Sequence, residues 1–135
     1  MSVVKKPVSQ PKKSKREKKS LKLSWKWPTM GKVVRRFNHG QLRKGIDIAG
    51  QLGQQIIAAE SGEVVYSNNN LRGYGNLVII KHSDQYLSAY AYNKTMVVTE
   101  RDQIKKGQRI ATMGSMEDQQ AVLHFEISAG SHYSK

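Results

Sequence analysis

From Gly31 onward the chain is a series of short apolar-rich segments cut apart by glycine, asparagine and serine turns. That rhythm leaves little room for anything but β-structure. Strand composition recurs at 31–37, 46–48, 55–59, 63–67, 76–82, 86–92, 109–113 and 122–127. The turn Glu60-Ser61-Gly62 separates two of these segments, which predicts a hairpin. No long stretch keeps helical periodicity, although 98–104 allows a short helical turn. The spacing predicts a mainly β fold, a compact antiparallel sheet domain rather than alternating βαβ units.

Two of the segments are matched in an informative way. In an extended Arg43-Lys44-Gly45-Ile46-Asp47-Ile48, side chains alternate between faces, so Ile46 and Ile48 point to one side and Arg43 and Asp47 to the other. In Val122-Leu123-His124-Phe125-Glu126-Ile127, the apolar face is Leu123, Phe125 and Ile127. The opposite face is Val122, His124 and Glu126. Two strands that turn polar rows away from one core form the floor of a groove, and the question is whether that floor holds a metal.

The charge of the 135-residue chain is +13, but ten of its 23 Lys and Arg lie within the first 26 residues, beside a single Glu. Residues 1–24 read as a disordered basic tail or linker, since Lys, Ser, Pro7 and Pro11 bury almost nothing. Such a tail is either a solubilising linker or a contact for anionic polymers or lipid. It carries no aromatic residue to stack on bases, which speaks against specific nucleic acid recognition. Residues 25–135 form the domain, introduced by Trp25-Lys26-Trp27-Pro28. The two tryptophans are expected to pack on its edge, a ligand platform being the alternative. There is no cysteine, hence no disulfide framework or thiolate metal site. No apolar run approaches the roughly 18 residues of a membrane span, and no signal peptide is visible within the chain.

In order and spacing, the segments resemble the LytM-type, lysostaphin-like zinc metallopeptidase family. The resemblance rests on Lys44-Gly45-Ile46-Asp47-Ile48-Ala49, Gly62-Glu63-Val64-Val65, Gly75-Asn76, Ile80-Lys81-His82, Tyr90, Gly107-Gln108, Gly114-Ser115 and Leu123-His124-Phe125-Glu126-Ile127. It covers the chain from about Trp27 to Ile127 and implies the duplicated hybrid-motif β fold. The Leu71-Arg72-Gly73-Tyr74-Gly75-Asn76 loop and Ile110-Ala111-Thr112-Met113-Gly114-Ser115 are most similar to a subgroup of murein-hydrolase activators. After Ile127 the chain is shorter than that subgroup's usual ending, so it reads as shortened at the C-terminus.

The resemblance also locates the departures. Active relatives bind zinc through a His and an Asp of the opening motif and a His of the closing motif. Here Arg43 stands at the first of these positions, and only Asp47 and His124 remain as vestigial ligand positions. Both catalytic histidines are replaced, by Tyr92 and Val122. Arg43 can only donate, so it is expected to pair with Asp47 rather than ligate. Val122 offers neither lone pair nor proton. Tyr92, with a pKa near 10, is a poor base at neutral pH. The expectation is a degenerate groove formed by Arg43, Asp47, Tyr92, Val122 and His124. Arg72, Tyr74 and Tyr90 are placed on its rim, although Tyr90 fits a core position equally well. No catalytic group and no cofactor are expected. His82 reads as a satisfied strand-end residue, and His132 matches nothing in the family.

What the resemblance implies is a non-catalytic domain that binds and activates a peptidoglycan N-acetylmuramoyl-L-alanine amidase during cell separation. The place would be the bacterial envelope or periplasm, with peptidoglycan as a further contact. Two rivals stand beside it. One is a zinc endopeptidase cleaving peptidoglycan cross-bridges through Asp47, His124 and His39. The other is an anion-binding module driven by the tail.

Overall fold

The computed structural model describes residues 24–35, 45–116 and 120–129. The expectations for the tail before Ser24 and for Arg43, His39 and His132 fall outside these residues. Nine strands follow in chain order: β1 (Lys32–Arg35), β2 (Ile46–Ala49), β3 (Gln55–Ile57), β4 (Gly62–Asn68), β5 (Asn76–Lys81), β6 (Tyr86–Met96), β7 (Gln103–Ile104), β8 (Arg109–Ser115) and β9 (Ala121–Ala129). They form one antiparallel sheet in the order β1-β2-β9-β8-β6-β5-β4-β7, with β3 paired to β8 and β9 also paired to β6. The described residues contain no helix, so the mainly β, antiparallel reading holds.

Two local expectations do not hold. Segments 55–59 and 63–67 are not a hairpin: Ile56 pairs with Ala111 of β8, and β4 pairs with β5 and β7. The backbone of Ala58 and Ala59 explains this. Ala58 exchanges hydrogen bonds with Gln108 and Gly107, and the Ala59 carbonyl accepts from Lys26 N–H, so the chain crosses over instead of turning back. Around 98–104 there is a turn rather than a helix. Asp102 accepts from Thr99 N–H at 2.9 Å, Arg101 takes φ 80°, and the chain proceeds directly into β7.

The long strand β6 pairs with β5 along one edge and with two strands in turn along the other. Residues 86–91 pair with β9, and residues 93–96 pair with β8. The change of partner falls at Tyr92, whose φ of 66° is left-handed. A bulky residue held there is strained, and such strain persists only where the surroundings over-determine it. Tyr92 N–H donates to the Tyr74 carbonyl at 3.0 Å, and its hydroxyl donates to the Gly73 carbonyl at 3.0 Å.

One face of the sheet carries the main core, including Ile48, Ile56, Val64, Val78, Ile80, Tyr90, Ile110, Met113, Leu123 and Phe125. A smaller apolar cluster is built on Leu77, Ala91, Tyr92 and Val122, with Tyr66, Tyr74 and Met116 against it. Ile48 and Leu123 are buried as the alternation requires, but Ile127 is 42% exposed.

Tyr90 belongs to the core, not to a groove rim. Its hydroxyl accepts from Ala59 N–H at 2.9 Å and lies 2.7 Å from Ser88 Oγ. Ser88 Oγ is in turn 2.7 Å from His82 Nε2, and His82 Nδ1 donates to the Ser61 carbonyl at 2.6 Å. Burial pushes the Tyr90 hydroxyl up to about 12, so it stays protonated throughout the physiological range. His82 is thus a satisfied structural residue. The substitution Tyr90→Phe keeps the ring packing but orphans the Ala59 N–H. It is expected to cost about 1–3 kcal/mol, read by chemical denaturation.

Candidate functional site

Register builds the site. Asp47 on β2 lies directly opposite His124 on β9, and His124 lies opposite Ala91 on β6. Directly opposed residues of an antiparallel pair share a face with Cβ atoms about 5 Å apart. On the other side of β2, a bulge between Val33 and Arg35 leaves Val34 unpaired and sets Arg35 opposite Asp47. The bulge keeps Val33 on the core face and turns the following basic residue onto the polar face. Arg35, Asp47, His124 and Ala91 therefore form a row across four strands.

The polar members of that row are joined end to end. Arg35 Nε donates to Asp47 Oδ2 at 2.6 Å. His124 Nδ1 and Asp47 Oδ1 are 2.6 Å apart, and His124 Nε2 and Glu126 Oε2 are 2.7 Å apart. Tyr74 Oη reaches the same Glu126 oxygen at 3.5 Å. The side chains of Asp47 and His124 are 6% and 4% exposed, whereas that of Arg35 is 55% exposed. The rings of Tyr74 and Tyr92 each lie 6.1 Å from the His124 ring.

The geometry favours one protonation state of the ring. Both imidazole nitrogens face carboxylate oxygens, an arrangement that favours a proton on each nitrogen. The row is then Arg35 positive, Asp47 negative, His124 positive and Glu126 negative, with no net charge. Burial works against the charge on His124, but its bonds to Asp47 and Glu126 outweigh that and raise it above the ordinary histidine value of 6.5. Burial likewise pushes the Asp47 carboxyl upward, yet His124 and Arg35 hold it below its ordinary 3.8.

These shifts set a pH window. A raised histidine contributes stability that is complete below 6.5 and is lost as pH rises through the native value. A depressed carboxylate contributes stability that is complete above 3.8 and is lost as pH falls through the native value. The row therefore stabilises most between those two figures. His82 acts in the opposite sense, since burial lowers it and its contribution is lost as pH falls below 6.5. The clean readout is the melting-temperature gap between wild type and His124→Gln, expected to be widest near about pH 5–6 and to narrow above neutrality.

The structure thus brings together Asp47, His124, Tyr74, Tyr92 and Val122. Tyr92 and Val122 share the smaller apolar cluster, and Val122 is 4% exposed. Arg72 is exposed in the loop between β4 and β5 and is hydrogen-bonded to none of the row. The partner expected for Asp47 was Arg43, which lies outside the described residues; the guanidinium found on Asp47 is that of Arg35. Sequence reasoning did not single out Arg35 or Glu126. Glu126 had a signal, because it shares the polar row of its strand with His124. Arg35 had none, because its orientation depends on the bulge. Among the described residues, no three His, Cys, Asp or Glu side chains are placed to hold a metal ion.

The model of peptidase family M23 matches residues 41–135, a span that includes Asp47, Tyr92 and His124. The chain belongs to peptidase family M23. It is 59% identical over 105 residues to the murein hydrolase activator NlpD of Escherichia coli K12, an alignment covering 77% of this chain and 28% of that protein. It is 55% identical over 104 residues to a lipoprotein, the NlpD/LppB homolog of Pseudomonas aeruginosa, covering 76% of this chain and 35% of that protein. The chain therefore spans about a third or less of these relatives. The M23 fold itself is shared with the solution structure of lysostaphin, with TM-score 0.68 and 24% identity over 78% of this chain and 46% of that one. The lysostaphin-like expectation is thereby met.

Proposed function

We propose that this M23 domain is non-catalytic and acts by binding and activating a peptidoglycan N-acetylmuramoyl-L-alanine amidase in the bacterial envelope during cell separation. The observation that carries the reading is the closed ionic row Arg35–Asp47–His124–Glu126. Catalytic zinc needs three protein ligands at about 2.0–2.2 Å and an open position for water. The residues in the row do not fit that requirement. Asp47 and His124 spend their inner atoms on each other, and a cation occupies the second oxygen of Asp47. Val122, at one position of the family's catalytic histidines, supplies neither lone pair nor proton, and Tyr92, at the other, directs its hydroxyl to the Gly73 carbonyl.

A groove without a metal can still favour one conformation of a partner, and differential affinity for the partner's active state is sufficient to activate it. The naming of the E. coli relative as a murein hydrolase activator supports this direction. Tyr74, partly exposed beside the row, is an amphipathic aromatic of the kind that anchors interfaces. Purified amidase and dye-labelled murein test the reading. The whole chain is expected to accelerate dye release several-fold while releasing none alone. Absence of binding and of stimulation overturns it.

A further inference from the structure

We propose that the open groove beside Trp27 is a binding subsite for a neutral, N-acetylated glycan. The groove measures about 960 Å³ and runs between residues 26–31 and the connection from β2 to β3. Trp27 is 64% exposed within it, and Met30 is 82% exposed. The backbone that carries the indole is nonetheless fixed in place. Lys26 N–H donates to the Ala59 carbonyl and Ile57 N–H to the Pro28 carbonyl, each at about 2.9 and 2.8 Å, so Trp27 sits between two backbone anchors. Gln54 secures the wall, its carboxamide donating to Thr29 Oγ1 at 2.8 Å and accepting Gln51 N–H at 3.0 Å.

What faces a ligand is one indole face, the exposed Lys26 and Met30 side chains, and three exposed carboxamides, those of Gln51, Gln55 and Gln120, none hydrogen-bonded to another described residue. Among the described residues, no carboxylate lines the groove. A pyranose offers an apolar C–H face that stacks on an indole, and a rim of hydroxyls and acetamides. A carboxamide donates and accepts at once, which suits that rim. A protein partner would instead favour a desolvated apolar centre with few amides. The groove shares Ala49 and Gln120 with a smaller cavity that reaches Arg35 and Val122, so a glycan seated at Trp27 leads toward the ionic row. The inference rests on the peptidoglycan-directed reading for the choice of glycan.

The test uses the whole chain and N-acetylglucosamine tetramer as the probe, followed by NMR of the Trp27 indole and glutamine amide signals. Saturable shifts are expected, with affinity falling about tenfold or more in Trp27→Ala and about threefold in Gln120→Ala. The melting temperature of Trp27→Ala should stay unchanged, because the side chain is mostly exposed. Absence of shifts, or equal affinity in Trp27→Ala, overturns the proposal. So does a dimer that Trp27→Ala dissociates, which assigns the groove to a second copy. Amidase stimulation is measured in parallel. With the unaltered chain, absent stimulation beside intact glycan binding overturns the activator reading, whereas absent glycan binding beside intact stimulation overturns this one.

Discussion

Asp47→Ala is expected to destabilise the domain by about 3 kcal/mol, the lower end of the cost of removing one partner from a buried ion pair. The reason is what remains. His124 is 3% exposed and would keep one carboxylate, Glu126, while its Nδ1–H would face a cavity. Arg35 would lose its anchor too, but it is half-exposed and water can replace the contact. The comparison variant is therefore Arg35→Ala, which should cost under about 1 kcal/mol because solvent screens an exposed partner. Equal losses from the two substitutions would show that the row does not have the buried centre described above. Urea denaturation of both variants, with slopes compared, provides the measurement.

Gly45→Ala is expected to cost about 3 kcal/mol or more and a melting temperature lower by roughly 10 °C. Gly45 takes φ 94°, a region that side-chain-bearing residues rarely adopt. The added methyl carbon would also lie 2.3 Å from the Phe125 carbonyl oxygen and 2.7 Å from Glu126 Cγ. Backbone strain and a clash with backbone thus act together, and relief requires β2 to move away from β9. That movement would pull Asp47 from His124, so loss of fold and loss of the ionic row should appear together. Gly53 is the control. Its φ is 86°, but nothing lies within 4 Å of an added methyl, so Gly53→Ala should show the conformational cost without the clash.

Much of this was legible in the sequence. Alternation placed Ile48, Leu123 and Phe125 in the core and put Asp47 and His124 on one polar face, because side-chain period is fixed by strand geometry. Family resemblance placed Tyr92 and Val122 beside them. What could not be read was set by pairing rather than by local pattern. Arg35 reaches Asp47 through a bulge at Val34 that composition does not encode. Segments 55–59 and 63–67 carry an ordinary hairpin signal, yet the backbone of Ala58 and Ala59 is claimed by Lys26, Gly107 and Gln108, far away in sequence. Ile127 and Trp27 look like core and edge residues, but both are left substantially open. Tyr90 gave no sign of which face it would take until its hydroxyl partners, Ser88 and Ala59, were in place.

The central claim is that a closed chain of opposite charges, rather than a bound metal, occupies the floor of the groove. Nitrogen-detected NMR of the His124 ring, before and after adding zinc, tests it most directly. The account predicts two protonated, hydrogen-bonded ring nitrogens at neutral pH, and a spectrum that stoichiometric zinc leaves unchanged. Loss of the Nδ1 proton on adding one equivalent of zinc, with the fold intact, would contradict it.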